Sequence, residues 1–391
     1  MKTIALVTPK IDTFTNPTLS LFIEKLLEQD YRILFFGYEQ MFIPPGIRSK
    51  LVFYQLPFHY YKFVGSYNNY LKLTKHYLKL IKRLKIDHKV KNIVCVDPMG
   101  MVIAGRIRKL IKAKLIYASF EIFFEEEFKV ERKKILRSLE KKYSSKADLL
   151  IIQDKKREKM LREINNFSDQ LKVIHIPVSP KPADFPLNQY DINKELNIPE
   201  DKTIVVYSGT LNKWSGIFEL LELVPEKLNS DFWLVIHSHH ILRDDDDLKI
   251  KISELIKKKH NISFHNIPFY DNISYFNFLA SCDIGIATYF PNDTDIFAGK
   301  NIQEIGLSSG KFSTYMMLGL PTVTTSNSIY IELNNKYNFG EIINTTIEIP
   351  EALNKIMIDY EDKSRKCKLL YEKELNPESR IDKLLEYINN N

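Results

Sequence analysis

The chain is poor in anything that would cross-link it or anchor it. It has three cysteines among 391 residues, Cys95, Cys282 and Cys367. They are far apart, form no CxxC pair and have no histidine pattern nearby, which argues against a disulfide framework and a cysteine-based zinc site and fits a reducing compartment. No stretch approaches the ~20 apolar residues that a membrane-spanning helix needs. The opening MKTIALVTPK has only a short apolar run between Lys2 and Lys10, which reads as a first β-strand rather than a secretory signal. No short-period repeat is present, which argues against a solenoid. The full GxGxxG spacing is missing, which argues against an ordinary dinucleotide site. No nucleic-acid-binding motif accompanies the basic residues, so nucleic acid is not an expected partner.

What is present describes a globular α/β protein. Apolar residues make up 44% and charged residues 27%, well outside the disordered range. The length suits two domains of about 150–200 residues each. The net charge of +7 conceals an asymmetry: residues 1–180 carry 34 Lys and Arg against 18 Asp and Glu, whereas residues 181–391 carry 22 against 31. A balance of +16 in one half and −9 in the other suggests that the first half faces an anionic partner.

Short apolar runs alternate with helical spacing from the start. Strands are expected at Ile4–Thr8, Arg32–Phe36, Asn92–Val96, Leu115–Tyr117 and Asp148–Ile152, with helices between them. Continuous apolar strands separated by helices indicate a parallel sheet covered on both faces. Ile176–Leu187 contains four prolines and reads as a stiff linker. The pattern then restarts, with strands at Ile204–Tyr207, Trp233–His237, Ile262–Phe264, Ile284–Ala287, Thr322–Thr324 and Glu341–Ile343. Helices are expected at Gly216–Leu228 and Lys311–Leu318, and Pro377–Asn389 reads as a final amphipathic helix. The expected organisation is a Rossmann-like domain over residues 1–180, a second over 181–375, and a terminal helix over 376–391.

Ligands of open α/β sheets bind beyond the carboxyl ends of the strands, which directs attention to the loops there. Ser308, Ser309 and Gly310 make a small polar turn before a helix, and Lys311 adds a full positive charge. Free N–H groups at a helix start and a lysine suit an anion such as a phosphate; an ordinary N-cap with a solvated lysine fits the same residues. The loop Ser208-Gly209-Thr210-Leu211-Asn212-Lys213 follows another strand, and Gly209 would allow close backbone approach to a ligand. Asp97 and Glu121 stand just past strands of the first half, where a carboxylate can act as a general base or as a helix cap. The run Asp244–Asp247 has adjacent carboxylates but no strand context, and reads as a solvated loop. His237, His239 and His240 lack a convincing ligand spacing and read as polar loop residues.

Two stretches carry a family resemblance. The order of a strand, SGTL and a helix, followed by CDIGIA and SSGKFSTYMMLGLPTV, resembles the donor domain of GT-B glycosyltransferases, near glycosyltransferase family 4. Residues 92–121, NIVCVDPMGMVIAGRIRKLIKAKLIYASFE, resemble that family's strand ending in Asp, a helix, then a strand running into His-Glu. Asp97 stands at the family's Asp and Glu121 at its Glu. The chain departs from the pattern: the family's donor-loop Glu pair falls at Gly306 and Thr314, its Arg and Lys after the Gly turn fall at Thr210 and Ser215, and the His before Glu121 is Phe120.

The resemblance implies a GT-B architecture, two Rossmann-like domains facing a cleft, with the last helix returning to the first domain. It implies a nucleotide-sugar donor held by Gly209, Thr210, Lys213, Ser308, Ser309, Gly310, Lys311 and Thr314, and an acceptor served by Asp97 and Glu121. No cofactor and no metal is expected if lysine and helix dipoles neutralise the leaving diphosphate. The expected activity is transfer of a sugar to a lipid-linked or cell-surface glycan. A nucleotide-sugar epimerase of the same fold, or a degenerate binding subunit, is the alternative. Within Tyr60–Lys91, Leu73, Tyr77, Leu80 and Leu84 share one helical face, and Lys72, Lys75, Lys79 and Lys82 share another. Such a face suits an anionic bilayer, giving a cytoplasmic protein peripheral to the inner face of a membrane.

Overall fold

The computed structural model describes residues 2–10, 12–40, 43–44, 46–55, 90–108, 112–128, 131–183, 190–239, 241–269, 271–294 and 297–390, without the side chains of residues 107 and 131–133. The lysine-rich face of 72–89 lies outside the described residues. The chain forms two compact units. One comprises Met1–Lys181, Asp295–Asn301 and Pro377–Asn391; the other comprises Pro182–Thr294 and Ile302–Asn376.

In the first unit the described strands are β1 (Thr3–Thr8), β2 (Arg32–Gly37), β3 (Leu51–Gln55), β4 (Asn92–Val96), β5 (Lys114–Ala118), β6 (Leu149–Ile152) and β7 (Lys172–His175). They form a parallel sheet in the order β3-β2-β1-β4-β5-β6-β7. Successive side chains of a strand point to opposite faces, so each strand feeds two cores. Ala5 and Val7 of β1 join Ile93 and Cys95 of β4 on one face, whereas Ile4 and Leu6 join Val94 and Val96 on the other. Burial on both faces explains why the central strands read as unbroken apolar runs.

Helix starts follow from local chemistry. Asn16 caps Pro17–Glu28 by accepting the Leu19 N–H, with Pro17 at a position where a missing N–H costs nothing. Asp154 does the same for Lys155–Ile164 through the Arg157 N–H. The last helix, Glu378–Asn389, places Ile381, Leu384, Leu385 and Ile388 in the core that also holds Ile4 and Leu6. Spacings of three, four and seven residues put those four side chains on one face. Lys2 and Tyr31 both reach Asn389 Oδ1, at 2.7 Å each.

The second unit repeats the plan with β8 (Thr203–Ser208), β9 (Phe232–His237), β10 (Ile262–His265), β11 (Ile284–Ala287), β12 (Thr322–Thr325) and β13 (Gly340–Ile343). Their order is β10-β9-β8-β11-β12-β13, again parallel. Three details differ from the sequence reading. The edge strands β3 and β7 were not expected. The helix expected over Gly216–Leu228 ends at Leu223. His237 is not a polar loop residue: it closes β9, is fully buried and packs against His265, Phe269 and Phe278.

Candidate active site

Each sheet changes direction once. In the first unit the order reverses between β1 and β4, and in the second between β8 and β11. Loops leaving such a pair diverge and leave a crevice at the carboxyl ends, which is where α/β sheets bind ligands.

In the first unit the residues after β1, β4, β5 and β6 converge. Lys10 follows β1, Asp97 follows β4, Glu121 follows β5, and Gln153 to Arg157 follow β6. Asp97 has φ +58°, a region that a residue with a side chain seldom occupies, and it is held there from two sides. Its Oδ1 accepts the N–H groups of Phe120 at 2.7 Å and Glu121 at 2.8 Å, and its Oδ2 lies 2.6 Å from Lys10 Nζ. Its side chain is 6% exposed, against 32% for Glu121. Asp97 is therefore consumed in shaping the β5 loop, whereas Glu121 presents its carboxylate.

Glu121 is held on both oxygens. Oε2 accepts Asn301 Nδ2 at 2.6 Å, and Oε1 lies 3.9 Å from Lys10 Nζ. Burial, with the Asp97 charge beside it, raises its pKa above the ordinary carboxylate value, while Lys10, Arg157 and the Asn301 bond pull the other way. For Lys10, burial lowers the pKa, but Asp97, Glu121 and Asp12 outweigh it and leave the ammonium firmly charged. Arg157 is fully buried and makes bonds to Gln153 Oε1, the Phe120 carbonyl and Asn301 Oδ1 at 2.8–3.0 Å. A carboxylate fixed by an amide and near a lysine, with its proton affinity raised by burial, is suited to take a proton from a hydroxyl.

In the second unit the β8 and β11 loops frame Lys311. Ser309 caps Gly310–Leu318 by accepting the Phe312 N–H, and its hydroxyl also bonds the Tyr289 hydroxyl. Gly310 and Lys311 open the helix, where N–H groups have no acceptor within the helix. The Lys311 ammonium lies 3.8 Å from the centre of the Tyr207 ring and 5.4 Å from that of Tyr289. It is buried and has no hydrogen-bond partner among the described residues. Burial lowers its pKa to about 7. Burial also raises the phenol pKa values of Tyr207 and Tyr289, so the aromatic walls supply no negative charge. Gly209, at φ +148°, lies alongside; a Cβ there would stand 3.7–3.8 Å from the end of the lysine chain, in a backbone conformation that disfavours one.

The other expected donor residues are placed differently. Thr210 and Lys213 are exposed, and the Thr210 carbonyl accepts the Tyr207 hydroxyl at 2.7 Å. Ser308 is half-buried in the turn Gly306–Ser308. Thr314 is buried, with its hydroxyl bonded to the Gly310 carbonyl at 2.8 Å inside the helix. Sequence reasoning missed Lys10, Arg157, Asn301, Tyr207 and Tyr289. The switch-point rule alone would have reached Lys10, since it follows the first strand. Nothing local marks Asn301, whose partner Glu121 is 180 residues away. Among the described residues no group of three or more His, Cys, Asp or Glu side chains could hold a metal ion, and no helix is long and apolar enough to cross a membrane.

No family model matches the sequence, and no curated protein does. Solved structures do match over the whole chain. Sucrose-phosphate synthase from Thermosynechococcus elongatus has a TM-score of 0.71 at 13% identity, covering 100% of this chain and 99% of that one. Anabaena HepE, solved with UDP and glucose, scores 0.69 at 13% identity with complete coverage of both chains. An Escherichia coli structure titled trehalose-6-phosphate and bound with UDP-2-fluoro glucose scores 0.69 at 14% identity, covering 98% of each chain. The chain thus has the α/β fold of GT-B glycosyltransferases.

Proposed function

We propose that this protein is a nucleotide-sugar-dependent glycosyltransferase. The observation that carries the reading is the Lys311 ammonium, buried at the β8/β11 switch point beside a helix start and without a hydrogen-bond partner among the described residues. A cation so placed, with no carboxylate among the described residues to neutralise it, calls for an anionic ligand. The donor diphosphate fits, lying on the N–H groups of Gly310 and Lys311 with Ser308 and Ser309 beside it and Gly209 allowing close approach. The exposed loop of Thr210 and Lys213 closes over it, and Thr314 braces the helix from inside. Neighbours of the same fold were solved with UDP or UDP-sugars, so a UDP-sugar is the first donor to test.

The acceptor belongs to Glu121. Its carboxylate takes the proton from an acceptor hydroxyl, or only positions that hydroxyl if configuration is retained. The acceptor oxygen bonds to the sugar's anomeric carbon as the bond to the diphosphate breaks, and Lys311 and the helix start receive the charge of the leaving group. No metal enters this scheme. The basic first half and the lysine-rich sequence of residues 72–91 favour a lipid-linked or cell-surface glycan acceptor at an anionic membrane surface, on the cytoplasmic side. Kinship to glycosyltransferase family 4 rests on the sequence resemblance.

The test is release of nucleoside diphosphate from UDP-sugars, with and without glycan acceptors, by the parent and by Glu121→Gln. Loss of a general base lowers turnover by about 10²–10⁴-fold. The expected result is acceptor-dependent release that collapses in Glu121→Gln while donor affinity holds. Equal turnover by the two proteins would remove Glu121 from the chemistry.

A further inference from the structure

Residues 297–301 lie in sequence among elements of the second unit, yet they belong to the first. They grip the loop that follows β5 at several successive points. Phe297 packs on Phe123, with ring centres 4.8 Å apart. A side chain at Gly299 would collide with the Glu127 carboxylate. The Lys300 N–H donates to Glu127 Oε1 at 2.7 Å, and the Lys300 ammonium pairs with Glu126. Asn301 then ends the clamp inside the site. Its Nδ2 donates to Glu121 Oε2, and its Oδ1 accepts both the Ile122 N–H and Arg157 Nη2 at 3.0 Å.

We propose that Asn301 is a positioning residue that orients the Glu121 carboxylate and sets its proton affinity through that single amide bond. The inference rests on the reading of Glu121 as the acceptor-side carboxylate. The geometry gives the amide two separable jobs. Its oxygen serves the fold, because it satisfies a buried backbone N–H and a buried guanidinium. Among the described residues its nitrogen serves only Glu121. The amide accepts from the first two through its oxygen while donating to the third through its nitrogen; an ionised carboxylate keeps the two acceptor contacts and loses the donor. Glu121 is faced by Lys10 from the β1 loop, Asp97 from the β4 loop, Arg157 from the helix after β6 and Asn301 from the clamp. Of these four, Asn301 and Lys10 approach its oxygens directly.

Asn301→Asp separates the jobs. The variant keeps acceptors for Ile122 and Arg157, so the fold is retained, and a second negative charge meets Glu121 where a donor stood. A like charge within hydrogen-bond reach disfavours ionisation. Carboxyl-carbon NMR, with Glu121 assigned by comparison with Glu121→Gln, should show the Glu121 titration moved upward by about one pH unit or more. In the transfer assay the acid limb of the kcat profile should move upward by a similar amount. Turnover at neutral pH should fall at least about tenfold, with the donor KM unchanged. An unmoved Glu121 titration in a folded Asn301→Asp protein overturns the proposal. So does a rate loss that appears only as weaker donor binding. The NMR readout needs no turnover, so failure of the transferase reading and failure of this inference are separate results. Gly299→Ala, which disturbs the clamp without touching the amide, should lower thermal stability and leave the Glu121 titration close to that of the parent.

Discussion

At the scale of residues, Lys311 and Glu121 both stand in surroundings that oppose their charged forms. For Lys311 the consequence for stability has a definite sign. Its pKa falls from 10.5 in the unfolded chain to about 7 in the folded protein. Between those values the unfolded chain binds the extra proton, so folding becomes more favourable as pH rises through that window. At or below pH 7 the penalty of the buried ammonium is fully present, and it fades towards pH 10.5. Lys311→Met removes the charge at similar volume. The variant should be more stable than the parent at pH 6–7, and the gap should close as pH approaches 10. Chemical denaturation across that range checks it; a Met variant less stable than the parent at pH 6 would show that the lysine serves the fold. The candidate site was partly legible in the sequence. Ser309, Gly310, Lys311, Asp97 and Glu121 lie beside strand ends, where periodicity and the switch-point rule lead. The aromatic contacts were not legible, because Tyr207 and Tyr289 read as ordinary strand and loop residues until the fold brings both rings to one ammonium.

At the scale of elements, the central strands were readable because burial on both faces demands uninterrupted apolar runs. The edge strands β3 and β7 were not, since LVFYQ and KVIH are only half-buried and carry polar residues that mimic loop. The segment 297–301 shows a different limit: its sequence says nothing about the unit it joins, because the bonds of Lys300 and Asn301 that tie it there reach residues more than a hundred positions away. The final helix was readable through its spacing. A π turn at Tyr371–Leu375 and then Pro377 break the helical run before it, which lets Glu378–Asn389 start afresh. Leu384 sits in the core formed with Ile4, Leu6 and Leu26. Leu384→Ala should destabilise the first unit by about 2–5 kcal/mol, the range for emptying a packed leucine site. Urea unfolding measures it, and a loss under ~0.5 kcal/mol, the scatter of surface substitutions, would mean that the helix is only loosely docked.

At the scale of the whole molecule, charge is divided between the halves, +16 in residues 1–180 and −9 in the remainder. A basic half that handles an acceptor at an anionic surface should bind vesicles containing anionic lipid, and binding should weaken with salt, since exposed charges are screened beyond about 8 Å at physiological ionic strength. Sedimentation with anionic and neutral vesicles at low and physiological salt tests this. Equal binding to both would remove the membrane from the proposal.

The Lys311 ammonium, without a hydrogen-bond partner among the described residues, is the proposed seat of the donor diphosphate, and calorimetric titration with UDP and UDP-sugars tests this. The parent should bind at one site, and Lys311→Ala should bind about ten- to a hundredfold more weakly, the cost of one charge-assisted hydrogen bond of roughly 1.5–3 kcal/mol. Lys257→Ala, on the exposed face of Asp247–Lys257, should match the parent. If Lys311→Ala binds as tightly as the parent, the turn at Ser309 is a helix cap and nothing more, and the diphosphate site lies elsewhere.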